Sequence, residues 1–194
     1  MRSSFDAAVG PTTTVDFEAQ NPHGPYGYVY YGGILTIGDV TFTQPDQRMF
    51  VFGQSFNPTN GLTSSYLNQF CCAPTGLTAT FANPVRAIGM DLGIQNYWNA
   101  NSNDITVTLS TGDLINTTGP LLYTGASMVF FGLTSNEGIT SIHFDDPSQG
   151  LAVDNLSFSE TAQSAVPEPT SLLLLGTGLF AGVRRWRKRE TTNA

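Results

Sequence analysis

The chain has 194 residues, of which 40% are hydrophobic and only 12% are charged. A typical soluble domain is about 25% charged, so the polar surface must come from uncharged side chains, and the apolar content is too high for a disordered chain. Residues 1–165 carry 13 acidic side chains against Arg2, Arg48 and Arg86, which excludes nucleic-acid binding by phosphate neutralisation.

Short runs of β-forming residues follow one another from about residue 12, separated mostly by Gly, Asn, Asp or Pro, with no long amphipathic helix among them. This spacing predicts an all-β fold over residues 12–160, a two-sheet antiparallel sandwich of jelly-roll type. Residues 1–11 are predicted to be a disordered start, and 54–75 a long loop. The predicted strands are Thr13–Phe17, Tyr26–Tyr31, Ile34–Phe42, Met49–Phe52, Leu77–Phe81, Val85–Leu92, Ile105–Leu109, Leu114–Asn116, Met128–Leu133, Ile139–Phe144 and Leu151–Phe158.

Acidic residues occur in the first and last predicted strands. Asp16 and Glu18 belong to the first and Asp154 to the last, and the terminal strands of a jelly roll often lie close together. Carboxylates suit Ca²⁺, so these three are candidate calcium ligands, and no other cofactor is expected. The segments 16–18 and 152–158 also resemble the terminal strands of jelly-roll carbohydrate-binding modules, which often hold a structural calcium there. The alternative is that these acids are solvated strand or turn residues.

Aromatic residues are the candidates for binding a sugar. Tyr97 and Trp98 stand in an asparagine-rich stretch that is typical of a loop, and they are the predicted ligand contacts. Tyr28 and Tyr30 alternate at the period of a strand, which favours an ordinary buried face for them. The other tyrosines considered are Tyr26 and Tyr31.

No catalytic residue is predicted. The chain lacks the common nucleophile, metalloprotease and phosphate-binding motifs, and its histidines, His23 and His143, carry no motif. Cys71 and Cys72 are adjacent and do not have zinc-ligand spacing. They could be thiols in a loop, a vicinal disulfide or a link between chains.

The end of the chain has three parts in a fixed order. A linker, 161–170, contains Val166-Pro167-Glu168-Pro169, and it is followed by 13 uncharged residues, Ser171–Val183. As a helix this segment would rise about 20 Å, which is short for a hydrocarbon layer of about 30 Å. We predict a transmembrane helix over 171–189, held at its cytoplasmic end by basic and aromatic residues, with 190–194 as a tail. The flanking residues are Arg184, Arg185, Trp186, Arg187, Lys188 and Arg189. The alternatives are a helix packed on the sandwich and a basic interfacial helix.

This order over residues 166–194 resembles the PEP-CTERM sorting signal of Gram-negative bacteria. The resemblance implies that an exosortase, a membrane cysteine transpeptidase, recognises Pro167, Glu168 and Pro169. It also implies transient residence in the inner membrane with the body outside, followed by the cell surface, secretion or an exopolysaccharide matrix. Such proteins begin with a secretion signal, which Met1–Gly10 does not contain, so we expect a signal segment upstream.

The expected function is therefore that of an exported, exosortase-sorted surface or matrix protein whose sandwich is not an enzyme. Two alternatives stay open. The sandwich could be a lectin-like module that binds a defined glycan, or a secreted polysaccharide hydrolase, because a fold does not decide among such functions.

Overall fold

A computed structural model describes residues 2–20, 27–53, 64–69, 76–95, 104–122, 126–145 and 150–160. The chain divides into two compact units, Met1–Ala162 and Gln163–Ala194, and all the described residues belong to the first. The predicted apolar helix and basic end lie outside the described residues. The division of the tail into linker, helix and basic end therefore stays a prediction.

The described residues form mainly β-strands. An α-helix precedes them, and a 3₁₀ turn, Glu18–Gln20, follows the first strand. The elements are α1 (Arg2–Val9), β1 (Thr13–Val15), β2 (Tyr28–Gly32), β3 (Ile34–Ile37), β4 (Val40–Thr43), β5 (Met49–Phe52), β6 (Tyr66–Gln69), β7 (Leu77–Ile94), β8 (Asp104–Leu109), β9 (Leu114–Thr118), β10 (Val129–Asp145) and β11 (Leu151–Ser159).

Two long strands, β7 and β10, pass through both layers of the sandwich. In the first sheet the order is β3-β4-β7-β10-β8-β9, where β7 contributes 77–81 and β10 contributes 141–145. In the second sheet the order is β2-β5-β6-β11-β7-β10, where β7 contributes 87–94 and β10 contributes 129–134. Register shifts in the β7–β10 pair separate the two halves. Every one of these strand pairs is antiparallel, which confirms the predicted all-β antiparallel sandwich.

The hydrophobic core lies between the sheets because inward and outward side chains alternate along each strand. In β8, Ile105, Val107 and Leu109 are buried, whereas Thr106 and Thr108 are partly exposed. One large core cluster contains residues of both sheets, from Phe42 and Phe144 to Met90 and Val153. Apolar burial between two sheets is therefore the main stabilising contribution to this unit.

Several strand boundaries differ from the predicted ones. The predicted strand Ile34–Phe42 is the hairpin of β3 and β4, which turns at Gly38 with a positive φ of 54°. The predicted loop 54–75 contains β6, where Tyr66 and Leu67 are fully buried. A short strand between polar flanks has too few apolar residues to show a period, so no local pattern predicts it.

The start of the chain is ordered, so the prediction of a disordered segment over 1–11 is wrong for residues 2–9. Phe5 and Val9 are four residues apart and point to the same side of helix α1. Both are buried, and Phe5 lies above Gly89 and Gly132 on the outer face of the second sheet. A Cβ on Gly89 would lie 2.8 Å from Phe5 Cε1, so the glycines permit the close approach.

Candidate functional site

The outer face of the second sheet carries a patch of aromatic side chains. The strand register places Tyr28 opposite Phe52, Tyr30 opposite Phe50, and Phe52 opposite Tyr66, so all five rings are on one face. Ring centroids are 5.0 Å apart for Tyr30 and Phe50 and 5.8 Å apart for Tyr28 and Phe50. Phe50 and Phe52 stack at 5.7 Å with an angle of 10°. These five residues are called the aromatic patch below.

The aromatic patch is buried at one side and open at the other. Tyr66 and Phe52 are buried, whereas Tyr28 and Tyr30 on strand β2 are 50% and 56% exposed. The expectation that Tyr28 and Tyr30 form a buried face is therefore wrong. It is Tyr31 that packs against the core, with its hydroxyl donating to the Gln20 carbonyl at 2.7 Å, and burial raises the pKa of Tyr31.

A carboxylate cluster lies elsewhere on the same outer face. Asp154 in β11 stands opposite Asp91 in β7, and the register shifts between Asp154 and Ser157. Asn155 in this bulge has a φ of 50°, a conformation that asparagine tolerates better than most residues. Its side-chain Nδ2 donates to Asp91 Oδ2 at 3.0 Å and to Asp154 Oδ2 at 3.2 Å. The bulge therefore places an amide between two facing carboxylates.

Asp154 is only 3% exposed, and its ionisation is disfavoured. Burial, the largest cause, raises the pKa of Asp154 to about 6, and the charges of Asp91 and Glu18 act in the same direction. Hydrogen bonds from the Ser64 hydroxyl and the Asn155 backbone N–H oppose the rise because they stabilise the carboxylate. Asp154 is thus a buried acid that titrates near neutral pH.

Helix α1 supplies the positive charge of this cluster. Arg2 Nη2 lies 3.1 Å from Asp91 Oδ2, and its two guanidinium nitrogens donate to the Asn155 carbonyl and the Ser157 hydroxyl at 3.3 Å. The guanidinium also stands 4.7 Å from the centre of the Phe130 ring. Arg2 therefore fixes helix α1 to this cluster and places a positive charge beside the carboxylate of Asp91.

Of the three predicted calcium ligands, the fold brings Glu18 and Asp154 near each other but not Asp16. The terminal strands do pair, β1 with β11, but β1 ends at Val15, so the prediction that Asp16 and Glu18 lie in the first strand is wrong. Glu18 accepts from the Ser65 N–H at 2.7 Å and from its hydroxyl at 3.1 Å, next to the Ser64 that binds Asp154. Among the described residues, Asp16 accepts one long bond, 3.4 Å, from the Glu18 N–H. In the described part of the chain, no three His, Cys, Asp or Glu residues are grouped to hold a metal ion.

The other predicted site residues lie outside the described ranges. This holds for Tyr97 and Trp98, for Cys71 and Cys72, for the motif Pro167–Glu168–Pro169 and for the basic run 184–189. Across the ranges that are described, no helix has the length and apolar character needed to cross a membrane.

Sequence reasoning missed Arg2, Asp91 and Asn155. Asp91 stands within a buried strand, where a carboxylate needs a partner, and that is the signal which could have identified it. Asn155 stands in the middle of a predicted strand, and asparagine tolerates the positive φ that it has in this bulge. Nothing local marked Arg2 as the partner of Asp91, because the two residues meet only in the folded chain.

The comparisons with known proteins identify the end of the chain. Residues 165–189 match the PEP-CTERM protein-sorting motif. This match confirms the sorting signal predicted from the order of the proline motif, apolar segment and basic run. It implies sorting by an exosortase, with transit in the membrane and export to the surface or the medium. The chain is thus an all-β sandwich followed by a PEP-CTERM sorting signal.

No curated protein matches the chain significantly. Among solved structures, a carbohydrate-binding module, CBM6-3 of Clostridium stercorarium with cellobiose, is 14% identical, covers 71% of this chain and 96% of its own, and has a TM-score of 0.38. The catalytic unit of an α-1,3-glucanase from Streptomyces thermodiastaticus is 12% identical at a TM-score of 0.39, covering 82% of this chain and 28% of its own. A tandem CBM22 domain of Paenibacillus barcinonensis Xyn10C is 13% identical and has a TM-score of 0.38. The match covers 83% of this chain and 48% of that chain. At these TM-scores the similarity carries no argument about function.

Proposed function

We propose that this chain is an exported, exosortase-sorted protein whose sandwich binds polysaccharide through the aromatic patch and catalyses no reaction. The observation that carries the proposal is the pair of half-exposed tyrosines, Tyr28 and Tyr30, side by side over the ring of Phe50. The sorting motif supports the location, because an exported protein meets extracellular polysaccharide.

The aromatic patch has the physical properties of a sugar platform. Tyr28 and Tyr30 are two residues apart on one strand and hence about 7 Å apart along it, so neighbouring units of an extended sugar chain could each contact a ring. The C–H face of a pyranose packs on an aromatic face, while the ring edges and hydroxyls remain hydrated. Phe50, stacked on the buried Phe52, anchors the exposed rings from below. The Tyr30 hydroxyl also donates to the Gln47 carbonyl at 2.6 Å, which fixes that ring.

The environment of the carboxylates argues against hydrolysis by this pair. A glycosidase needs a carboxylic acid of raised pKa beside a second carboxylate. Asp154 has a raised pKa and lies beside Asp91, so the pair meets this one requirement. However, Asp154 is buried and its oxygens are bonded to Ser64 and Asn155. A glycosidic bond cannot approach such a group, so we propose that the pair acts in folding and not in catalysis.

The tail provides the second half of the proposal. The three residues Pro167, Glu168 and Pro169 would be the exposed, extended peptide that the exosortase recognises, since proline disfavours helix on its N-terminal side. The apolar segment after them would reside in the inner membrane, with the basic run in the cytoplasm by the positive-inside rule. Processing would then release the sandwich to the surface or to an exopolysaccharide matrix.

Calcium is a secondary proposal. Glu18 and Asp154 contact the adjacent serines Ser65 and Ser64, so two carboxylates of the predicted set approach one another. Carboxylate oxygens are ligands that Ca²⁺ prefers. A structural calcium at this point would stabilise the junction of the 3₁₀ turn with strand β11.

Co-sedimentation with insoluble polysaccharide tests the binding role. The full chain, with its apolar segment kept in detergent micelles, is mixed with insoluble neutral glucans and with the exopolysaccharide of an exosortase-carrying host. The double variant Tyr28→Ala, Tyr30→Ala should bind about tenfold more weakly, whereas Leu114→Ala, which removes an exposed apolar side chain from the first sheet, should bind like the wild type. Equal binding by all three proteins would refute the proposal.

A further inference from the structure

In the part of the chain that the structure describes, the first half of strand β10 is an open edge of the second sheet. Residues 129–134 pair with β7 on one side, and β8 pairs only with the far end of β10, from Ile142 to Asp145. Within the described ranges, no strand pairs with the other side of 129–134. A row of backbone N–H and C=O groups is therefore available there for a further strand.

This edge lacks the features that usually prevent one sheet from adding to another. Natural edge strands carry lysine, proline, inward-pointing charges or bulges that block pairing. The segment 126–134 reads Ala-Ser-Met-Val-Phe-Phe-Gly-Leu-Thr and has neither a charged residue nor a proline. Its β-branched and aromatic residues have high strand propensity. An exposed edge of this composition is expected to be covered by a partner strand.

The side chains beside the edge form an apolar surface for that partner. Val129 is 45% exposed, and Phe131 and Leu133 are only partly buried against the core. On the outer face Phe5 of helix α1 packs on Phe130 at 5.4 Å, and an open groove lined by Ser4, Phe5 and 130–134 runs along the strand. An added strand would therefore find apolar contacts as well as backbone hydrogen bonds.

We propose that this edge pairs antiparallel with the same segment of a second copy of the chain, giving a two-fold dimer with one continuous sheet. A strand that is uncharged and apolar along its length is complementary to itself, and a two-fold contact uses the same surface twice. The rest of the body is strongly acidic, with 13 acidic side chains against three arginines before residue 166, so two copies repel elsewhere. The uncharged edge is where they can approach closely.

A consequence follows for the aromatic patch, and it rests on the proposed function. In an antiparallel pair related by a two-fold axis, the outer faces of both second sheets point to the same side. The dimer would then present two aromatic patches on one surface, one from each copy. Two linked sites bind a long polymer more tightly than one because the second contact is intramolecular.

Sedimentation velocity over a range of protein concentrations tests the dimer. The full chain in detergent micelles should associate reversibly, and Val129→Lys should raise the dimer Kd by roughly tenfold or more, because a lysine on the edge has no partner across the two-fold axis. The matched control is Leu114→Lys, which adds the same charge at an exposed apolar position of β9 in the other sheet. It should leave the dimer Kd unchanged.

Hydrogen exchange separates loss of pairing from loss of folding. Those amides of 129–134 whose N–H groups face away from β7 should gain protection as the wild-type concentration rises and should not do so in Val129→Lys, while β11 and the second half of β7 stay protected in both proteins. A wild type that remains monomeric would overturn the proposal, as would equal weakening by the two lysine variants. Protection of the edge-facing amides that does not depend on concentration would also overturn it, because the occupant would then be part of the same chain. Failure of this test leaves sugar binding by Tyr28 and Tyr30 intact, since that is measured separately.

Discussion

Asp91 and Asp154 stand directly opposite each other in the β7–β11 ladder, both on the outer face of the second sheet. Like charges in such a cross-strand pair are destabilising. Here the amide of Asn155 donates to both carboxylates, and the guanidinium of Arg2 lies 3.1 Å from Asp91. The bulge and helix α1 therefore compensate an arrangement that the sheet alone would not tolerate.

The first prediction is that the unit 1–162 is less stable at pH 7.5 than at pH 5 through Asp154. The folded-state pKa of Asp154, about 6, is above the ordinary value of 3.8, so folding favours the protonated form. The contribution of Asp154 to the free energy of unfolding is fully present below about pH 4, and it is lost as the pH rises through about 6. Between pH 5 and 7.5 the loss should be about 1 kcal/mol. Urea unfolding of the full chain at both pH values measures it.

The variant Asp154→Asn isolates this contribution. Asparagine keeps the size of the side chain and cannot ionise, so the wild type should lose more stability than the variant on going from pH 5 to 7.5. Asp113→Asn, at an exposed turn, serves as the control and should retain the wild-type difference. An identical pH dependence in wild type and Asp154→Asn would show that Asp154 does not titrate in this range.

The second prediction concerns the packing of helix α1 on the second sheet. In Gly89→Ala the new Cβ would lie 2.8 Å from Phe5 and 2.9 Å from Phe130, so the variant should be destabilised by about 1–3 kcal/mol. The double variant Gly89→Ala, Phe5→Ala should cost less than the sum of the single changes, because one of the clashing rings is gone. Additive effects in urea unfolding would mean that Phe5 does not rest on Gly89.

The third prediction tests calcium. If Glu18 and Asp154 bind the ion, a hundredfold excess of Ca²⁺ over its Kd should stabilise the folded chain by about 2.7 kcal/mol. The melting temperature should rise with Ca²⁺ and return with EDTA, and Glu18→Gln should abolish the rise. Asp16→Asn is the control and should respond like the wild type. A melting temperature that is insensitive to Ca²⁺ and EDTA would end this proposal.

The sandwich could be predicted from sequence because its strands have a local signature. In β8 the alternation of apolar residues with threonine is visible over six residues, and each such strand needs only its own neighbours to be recognised. The sorting signal is local as well, and its three parts occur in order within residues 165–189. Both predictions succeeded for that reason.

The candidate sites depend on long-range register, which no local pattern reveals. Alternation in Tyr28-Val29-Tyr30-Tyr31 shows that two faces exist, but it does not say which of them meets the core. The bulge at Tyr31, where the pairing of β2 with β5 shifts, also breaks the simple period. Likewise Asp91 and Asp154 become neighbours only when β7 pairs with β11.

The fourth prediction concerns processing of the tail. In a host that carries an exosortase, with a secretion signal supplied, replacing Pro167, Glu168 and Pro169 by alanine should leave membrane insertion intact, because these residues precede the apolar segment. Processing should be blocked, and the full-length protein should accumulate in the membrane, as followed by immunoblot of membrane and medium fractions. If the triple variant were trimmed and released like the wild type, these residues would not be the recognition motif.

The most direct test of the account is the partition of the processed protein between exopolysaccharide matrix and medium in such a host. Wild type and Leu114→Ala should be recovered mainly in the matrix. The variant Tyr28→Ala, Tyr30→Ala should be processed to the same size but shift to the medium, with its matrix-to-medium ratio lowered by about tenfold. If this variant stayed in the matrix at the wild-type ratio, the aromatic patch would not be the polysaccharide-binding surface.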